Sequence, residues 1–460
     1  MKQAIGILLL IYSLSSIAQS DWMVTGMPYE ITGMIRFYHD TTEDVLFCAG
    51  RVQEDFGGGW DDNALMRYDH GQWDALGSFN YQLFDAVVYQ DTLVVAGPFT
   101  TADGDPAPYA AYYANGLWHP MGIFSAQVNN LRVLGDELYA AGPFQTVDGQ
   151  PANGIAKWTG GHWDPVGLPP MTFPSAFMPY DVALYQGKIY LGGTFSFSGV
   201  LQDIMVYDGV SWEPVGGSLQ GGINWVSCME VFQDKLYVGG VFHNADGNAG
   251  NAIMTWDGST WAAVGTGIQD VNGNYHQGLQ VYGMKEHDGK LFAGGNHYYA
   301  GNIPSAAIST WDGNEWCNVG DGEFNGNNVR WIEFYQDTLW VACGPFIDGD
   351  SVNYMAKWVG GAYSDTCSLP LRTEQLQAAR DVLTAVPIGD GSWGVLGLFD
   401  GGYVLEGFDA LGHVFQRRTV SSIAGRSEPI DLRGLNTGAY SLRISGRDSS
   451  AVVRVVLFGP

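Results

Sequence analysis

Residues Val231–Gly265 read VFQDKLYVGGVFHNADGNAGNAIMTWDGSTWAAVG, and most of the chain repeats their grammar. A β-rich run ends in a small residue plus glycine (LYVGG). An Asp-Gly turn follows, then a short run ending in an aromatic (AIMTW), another Asp-Gly turn and Trp-x-x-Val-Gly. The glycine closing the first run recurs as Gly50, Gly97, Gly142, Gly193, Gly240, Gly295 and Gly344. Successive separations are 47, 45, 51, 47, 55 and 49, a mean of (344−50)/6 = 49 residues. One such unit cannot bury its own faces, so the seven copies count as a single domain. Abundant Gly, aromatic and β-branched residues, with no long 3.6-period amphipathic run, make the chain all-β.

Each unit divides into four strands. In the fifth they are expected near Val226–Phe232, Lys235–Val241, Ala252–Trp256 and Trp261–Val264. Tight pairs join first to second strands (Gln90-Asp91, Gln186-Gly187, Gln233-Asp234, Asp288-Gly289, Gln336-Asp337) and third to fourth (Asp208-Gly209, Asp257-Gly258, Asp312-Gly313). Such pairs suit two-residue hairpins, whose central residues need positive φ. In a four-stranded meander both kinds of turn lie at one end, so the long connections gather at the other. These include 167–180, 216–225, 265–278 and 320–330. A ligand is expected on that loop-bearing face.

Aromatics recur five residues apart: Tyr68/Trp73, Tyr113/Trp118, Trp158/Trp163, Tyr207/Trp212, Trp256/Trp261, Trp311/Trp316 and Trp358/Tyr363. A large ring at the same place in every unit is expected to wedge neighbouring sheets apart rather than stack on a ligand. The segment Asp21–Gly26 (DWMVTG) is an isolated copy of the Trp-x-x-Val-Gly strand. The seventh unit ends weakly at 363–367 (YSDTC), so the Trp22 strand is expected to complete it. A strand ending in a glycine pair, then an aromatic and a Trp, resembles the kelch repeat over roughly 21–367, and a period near ~50 is the kelch value. The resemblance implies a seven-bladed kelch-like β-propeller and transfers no activity.

The net charge is −27 and the pI about 4.4. That opposes association with nucleic acid, which needs clustered Lys and Arg. From Arg372 onward there are nine Arg, no Lys and nine acids, leaving 21−9 = 12 basic and 48−9 = 39 acidic residues before it. The acidity therefore belongs to the repeats. Residues 1–18 carry Lys2, an apolar run from Ala4 to about Tyr12, and small residues at Ser16 and Ala18. They read as a signal peptide cleaved after Ala18, and no later run is long enough for a membrane-spanning helix. Five cysteines (Cys48, Cys228, Cys317, Cys343, Cys367) leave at least one unpaired. Their spacing matches no zinc pattern, and buried thiols are expected.

The propeller is assigned to 19–370 and a separate domain to 371–460, where alternating strands suggest a small Ig-like β-sandwich. In this tail Phe408-Asp409-Ala410-Leu411-Gly412 precedes Ile430-Asp431-Leu432, Leu435, Gly438 and Tyr440, followed by the basic-apolar strand Val452–Leu457. It resembles the C-terminal sorting domain of proteins exported by the type IX secretion system of Bacteroidetes. The resemblance implies Gly412, Asp431, Leu435, Gly438 and Tyr440 as sorting-motif residues and the secretion machinery as partner. The expected location is outside the cell or on the outer-membrane surface.

The Asp-Gly loops after the second strands (Asp103-Gly104-Asp105, Asp148-Gly149, Asp246-Gly247, Asp348-Gly349-Asp350) offer oxygen ligands for Ca2+. They lack the dense run and closing Glu of an EF-hand, so turn chemistry is favoured and no cofactor is assigned. No His-Glu-x-x-His, Gly-x-Ser-x-Gly or phosphate loop occurs. Before Arg372 the arginines are only Arg36, Arg51, Arg67, Arg132 and Arg330, which does not suggest the arginine cluster of a sialidase propeller. The loop face instead offers amides beside flat rings: Asn224 and Trp225; Asn274, Tyr275 and His276; Asn328, Arg330 and Trp331. Rings cover C–H faces while amides take hydroxyls or backbone, as a sugar or peptide surface requires. Two functions follow: a non-enzymatic module binding glycan or protein, and a secreted polysaccharide hydrolase or lyase using loop carboxylates.

Overall fold

A computed structural model describes residues 22–53, 63–169, 178–197, 200–221, 224–270, 278–320, 324, 328–359 and 367, and eight strands between 384 and 457. The signal segment with Ala18 lies outside the described residues. The chain divides into two compact units, Met1–Ser368 and Leu369–Pro460.

In the first unit the described strands form seven antiparallel sheets built on four-stranded meanders, numbered here in chain order by their first strands, and three small sheets of two or three short strands in the connections. These are Glu30–Asp40, Asp85–Tyr89, Asn130–Leu134, Met178–Tyr185, Trp225–Phe232, Val281–His287 and Val329–Tyr335. Each first strand lies beside that of the next sheet, and the seventh lies beside the first. The sheets therefore stand in a propeller-like circle with their first strands around the axis. Sheet 7 takes its fourth strand from the other end of the chain, because Trp22–Val24 pairs antiparallel with Met355–Trp358.

Local chemistry explains the elements. Gln233 and Asp234 both adopt positive φ, 47° and 57°, as do Gln90-Asp91 and Gln336-Asp337. That is the turn whose twist matches its flanking strands. The marker glycines answer a crowding problem: a Cβ on Gly240 would collide with the Trp225 carbonyl, and one on Gly142 with that of Gln127. The chain entering each first strand crosses there too closely for any side chain.

The core consists of clusters between adjacent sheets, such as Ile204, Val215, Val226, Val238, Phe242 and Trp256 between sheets 4 and 5. Aromatic pairs stud these seams. Ring centroids are 5.3 Å apart for Trp158/Trp163 and 4.9 Å for Trp256/Trp261. Tyr363 lies outside the described residues, and Trp358 packs instead on Trp22, 5.2 Å away. In three pairs the second ring also donates its Nε1 across the seam, Trp163 to the Met121 carbonyl, Trp212 to Val166 and Trp316 to Val264, whereas the Nε1 of Trp118 and of Trp261 finds no partner among the described residues. A buried ring of about 150–250 Å² contributes roughly 4–6 kcal/mol of transfer free energy, which orients each sheet as well as stabilising it.

The Asp-Gly loops act as staples. Asp103 Oδ1 accepts from Ser78 N of sheet 1, and Asp148 Oδ1 from Ile123 N beyond sheet 2, each at 2.8 Å. Among the described residues no group of three His, Cys, Asp or Glu side chains is placed to hold a metal. Cys48, Cys228 and Cys343 are buried thiols. Cys317 and Cys367, by contrast, form a disulfide that ties the end of the first unit to the fourth strand of sheet 6.

In the second unit, strands Thr384–Gly389, Ser392–Leu396, Gly401–Phe408, Val414–Ile423, Arg426–Ser427, Ile430–Asp431, Gly438–Ser445 and Ser450–Leu457 join in one continuous antiparallel sheet. Its first and last strands lie against one another. Asp431 stands opposite Ser392, Gly438 opposite Leu457 and Tyr440 opposite Val455. Gly412 and Leu435 lie outside the described residues. No helix among the described residues is long and apolar enough to cross a membrane.

Candidate functional site

The first strands place charged side chains around the axis, and these join non-adjacent parts of the sequence. Arg36 of sheet 1 donates from Nη1 to Asp85 Oδ2 of sheet 2 at 3.0 Å and to the Asn129 carbonyl before sheet 3 at 3.3 Å. Asp85 also accepts from Leu131 N of sheet 3. The device recurs one step on. Arg132 of sheet 3 meets Asp181 of sheet 4 at 2.9 Å, and Asp181 accepts from Met229 N of sheet 5 at 2.8 Å. Lys285 of sheet 6 meets Glu333 of sheet 7 at 2.9 Å. Each carboxylate thus binds a cation and a peptide N–H, which is how a buried charge is kept.

Sheet 5 breaks the series. Its Glu230 accepts from Glu286 N at 3.3 Å and has no cation within ion-pair reach among the described residues. Burial pushes its carboxyl up to about 7. Burial also pushes up the Asp181 carboxyl, against the pull of Arg132.

Trp331, from sheet 7, stands among these groups. Its Nε1 donates to the Phe37 carbonyl of sheet 1 at 2.9 Å. The Arg36 guanidinium lies 4.6 Å from its ring centroid and that of Arg132 5.7 Å. A ring on sheet 7 reached from both sheet 1 and sheet 3 must lie across the axis. Each cation over an indole face contributes about 0.5–1 kcal/mol, and more where water is excluded.

Toward the loop end, four first strands carry one extra residue each, at Tyr180, Ser227, Tyr282 and Arg330, where the register shifts. Such bulges re-aim side chains. Ser227 Oγ accepts from Gln280 Nε2. Arg330 donates from Nε to Asn328 Oδ1 at 2.9 Å and lies 5.4 Å over the Tyr282 ring. Unlike Arg36 and Arg132, it has no carboxylate partner among the described residues.

The expected ligand residues therefore fall into three groups. Asn328, Arg330 and Trp331 come together at this end of the axis. Asn224 is buried and donates to the Gln220 carbonyl at 2.8 Å, holding its own loop, while half-buried Trp225 opens the first strand of sheet 5. Asn274, Tyr275 and His276 lie outside the described residues. Sequence reasoning missed the convergence of Arg36 and Arg132 on Trp331, and the axial Asp85, Asp181, Glu230, Lys285 and Glu333. The available signal was a lone charge inside an apolar first strand, as in Ile35-Arg36-Phe37, Leu131-Arg132-Val133 and Met284-Lys285.

No family model matches the chain, and no curated protein matches it. Similar solved structures include a protein of unknown function from Bacteroides thetaiotaomicron, at 11% identity and TM-score 0.34, covering 71% of this chain and 69% of that one. YjhT aligns at 11% identity and TM-score 0.34 over 74% of this chain and 95% of its own. The GH43_1 enzyme from Xanthomonas citri, solved with xylose, aligns at 12% identity and TM-score 0.24 over 73% and 88%. Likeness at this level carries no argument about ligand or reaction.

Proposed function

We propose that the chain is an exported seven-bladed kelch-like propeller that binds a glycan or protein at the loop end of its axis. In this reading the C-terminal unit is a sorting domain that engages the type IX secretion machinery and delivers the ring to the cell surface or beyond. The observation that carries the binding role is Arg330 beside Asn328, Tyr282 and Trp331: a cation with no carboxylate partner among the described residues, an amide and two flat rings. Flat rings with polar donors at their edges suit sugar hydroxyls and peptide groups alike.

The rival reading, a polysaccharide hydrolase or lyase, has one observation in its favour: Glu230, held near neutrality beside the axis, has the character of a general acid. A glycan array run beside a reducing-end release assay separates the two. Saturable binding without product, abolished in Arg330→Ala, supports the binding module. Product formation lost in Glu230→Gln would replace it with the enzyme.

A further inference from the structure

At the opposite end from the loops, the seam between sheets 7 and 1 holds a cleft of about 340 Å³. Its walls include the rings of Tyr68, Tyr335, Trp340 and Trp358, with Thr338 and Lys357 among them. The Lys357 ammonium sits 5.5 Å from the Trp340 ring centroid and 5.9 Å from that of Tyr68.

The same positions in sheet 3 show what is missing here. Lys157 stands opposite Tyr139 as Lys357 stands opposite Trp340, and Glu137 begins its strand as Thr338 begins the corresponding one. In sheet 3, Glu137 receives both neighbours: Lys157 Nζ lies 2.8 Å from Oε1, and Tyr139 donates its hydroxyl to Oε2 at 2.6 Å. In sheet 7 Thr338 supplies no carboxylate. No acid among the described residues lies within ion-pair distance of Lys357, and the buried Nε1 of Trp340 has no acceptor. The ammonium that in sheet 3 is held by an internal carboxylate is therefore left without one here, in a chain of net charge −27. An ammonium over aromatic faces with no carboxylate beside it attracts an anion into the space.

We propose that this cleft binds a small aromatic carboxylate, whose acid group takes the place that Glu137 fills in sheet 3 and whose flat body lies along the cleft wall formed by the edges of these rings. His70 also lines the cleft, paired with Asp69, so the Lys357 ammonium carries the positive charge of the site. The site is separate from the axial mouth and does not depend on the function proposed for it.

The test uses the full chain, with phenylacetate as probe and phenylacetamide as its uncharged counterpart, read by isothermal titration and ligand-observed NMR. Phenylacetate is expected to bind one to one, and the amide about tenfold or more weaker, the loss of a charge-assisted hydrogen bond. Thr338→Glu would supply the missing carboxylate internally. It is expected to abolish phenylacetate binding with the melting temperature unchanged or raised. Lys357→Gln, which leaves the rings in place, is expected to weaken binding by about tenfold or more and decides the matter alone if Thr338→Glu does not fold. Equal binding of acid and amide, no binding of phenylacetate, or undiminished binding in Lys357→Gln would overturn the proposal.

Discussion

The four main strands of each of sheets 1 to 6 come in chain order from one stretch, whereas sheet 7 takes three from 329–358 and the fourth from 22–24. Six sheets are therefore local and the seventh is a contact between the ends, with Trp22 facing Trp358 across 336 residues. The difference separates two sources of stability. Within sheets 1 to 6 the wedge rings follow from the repeat. At the closing seam the ring exists only if the remote strand arrives, at the loop-closure entropy of nearly the whole unit.

The strongest way to break this comparison is to remove the remote ring. Trp22→Ala is expected to cost about 3–5 kcal/mol in urea unfolding, as for a buried interior tryptophan. A loss under about 1 kcal/mol would mean that the seam closes without it. Next in size, Cys317→Ser opens a disulfide spanning 50 residues across sheets 6 and 7, and about 3–4 kcal/mol should be lost in non-reducing denaturation. An unchanged midpoint would place closure on the rings alone.

Moving from seam to axis sharpens the contrast. Arg132→Gln leaves Asp181 without its cation and is expected to cost about 2 kcal/mol, less than a fully buried pair because the Arg132 side chain is 28% exposed. Lys157→Gln, at the rim, should cost under about 1 kcal/mol. Equal losses would refute any special role for the axis.

A further test at the axis is a pH slope. Glu230 titrates near 4.5 in the unfolded chain and about 7 in the fold, so between those values the folded state holds a proton that the unfolded state has released. Its contribution is therefore complete below pH 4.5 and falls as pH rises toward 7. Melting temperatures of Glu230→Gln should lack that decline; parallel curves for the two proteins would show that Glu230 does not titrate this way.

What could be read from the sequence follows the same division. The repeat places Trp158 and Trp163, or Trp256 and Trp261, five apart, because one local geometry is reused. The isolated Trp22 motif carries that spacing grammar to the N-terminus, and Trp22 pairs with Trp358. The axial site was largely hidden. Arg36 meets Asp85 and Asn129 at separations of 49 and 93, so nothing local signals their union. Amides were ambiguous for a different reason: Asn224 has the composition of a ligand residue and the geometry of a loop fastener, bonding Gln220. The Cys317–Cys367 bond was likewise silent, since only the folded ring brings position 367 to sheet 6.

Cys367 lies immediately before the boundary at Ser368. Its bond to Cys317 works like a knot tied just inside a cut thread. A break in the chain past Ser368 would leave Cys367 fastened to sheet 6, so the last sheet could not unravel from the new end.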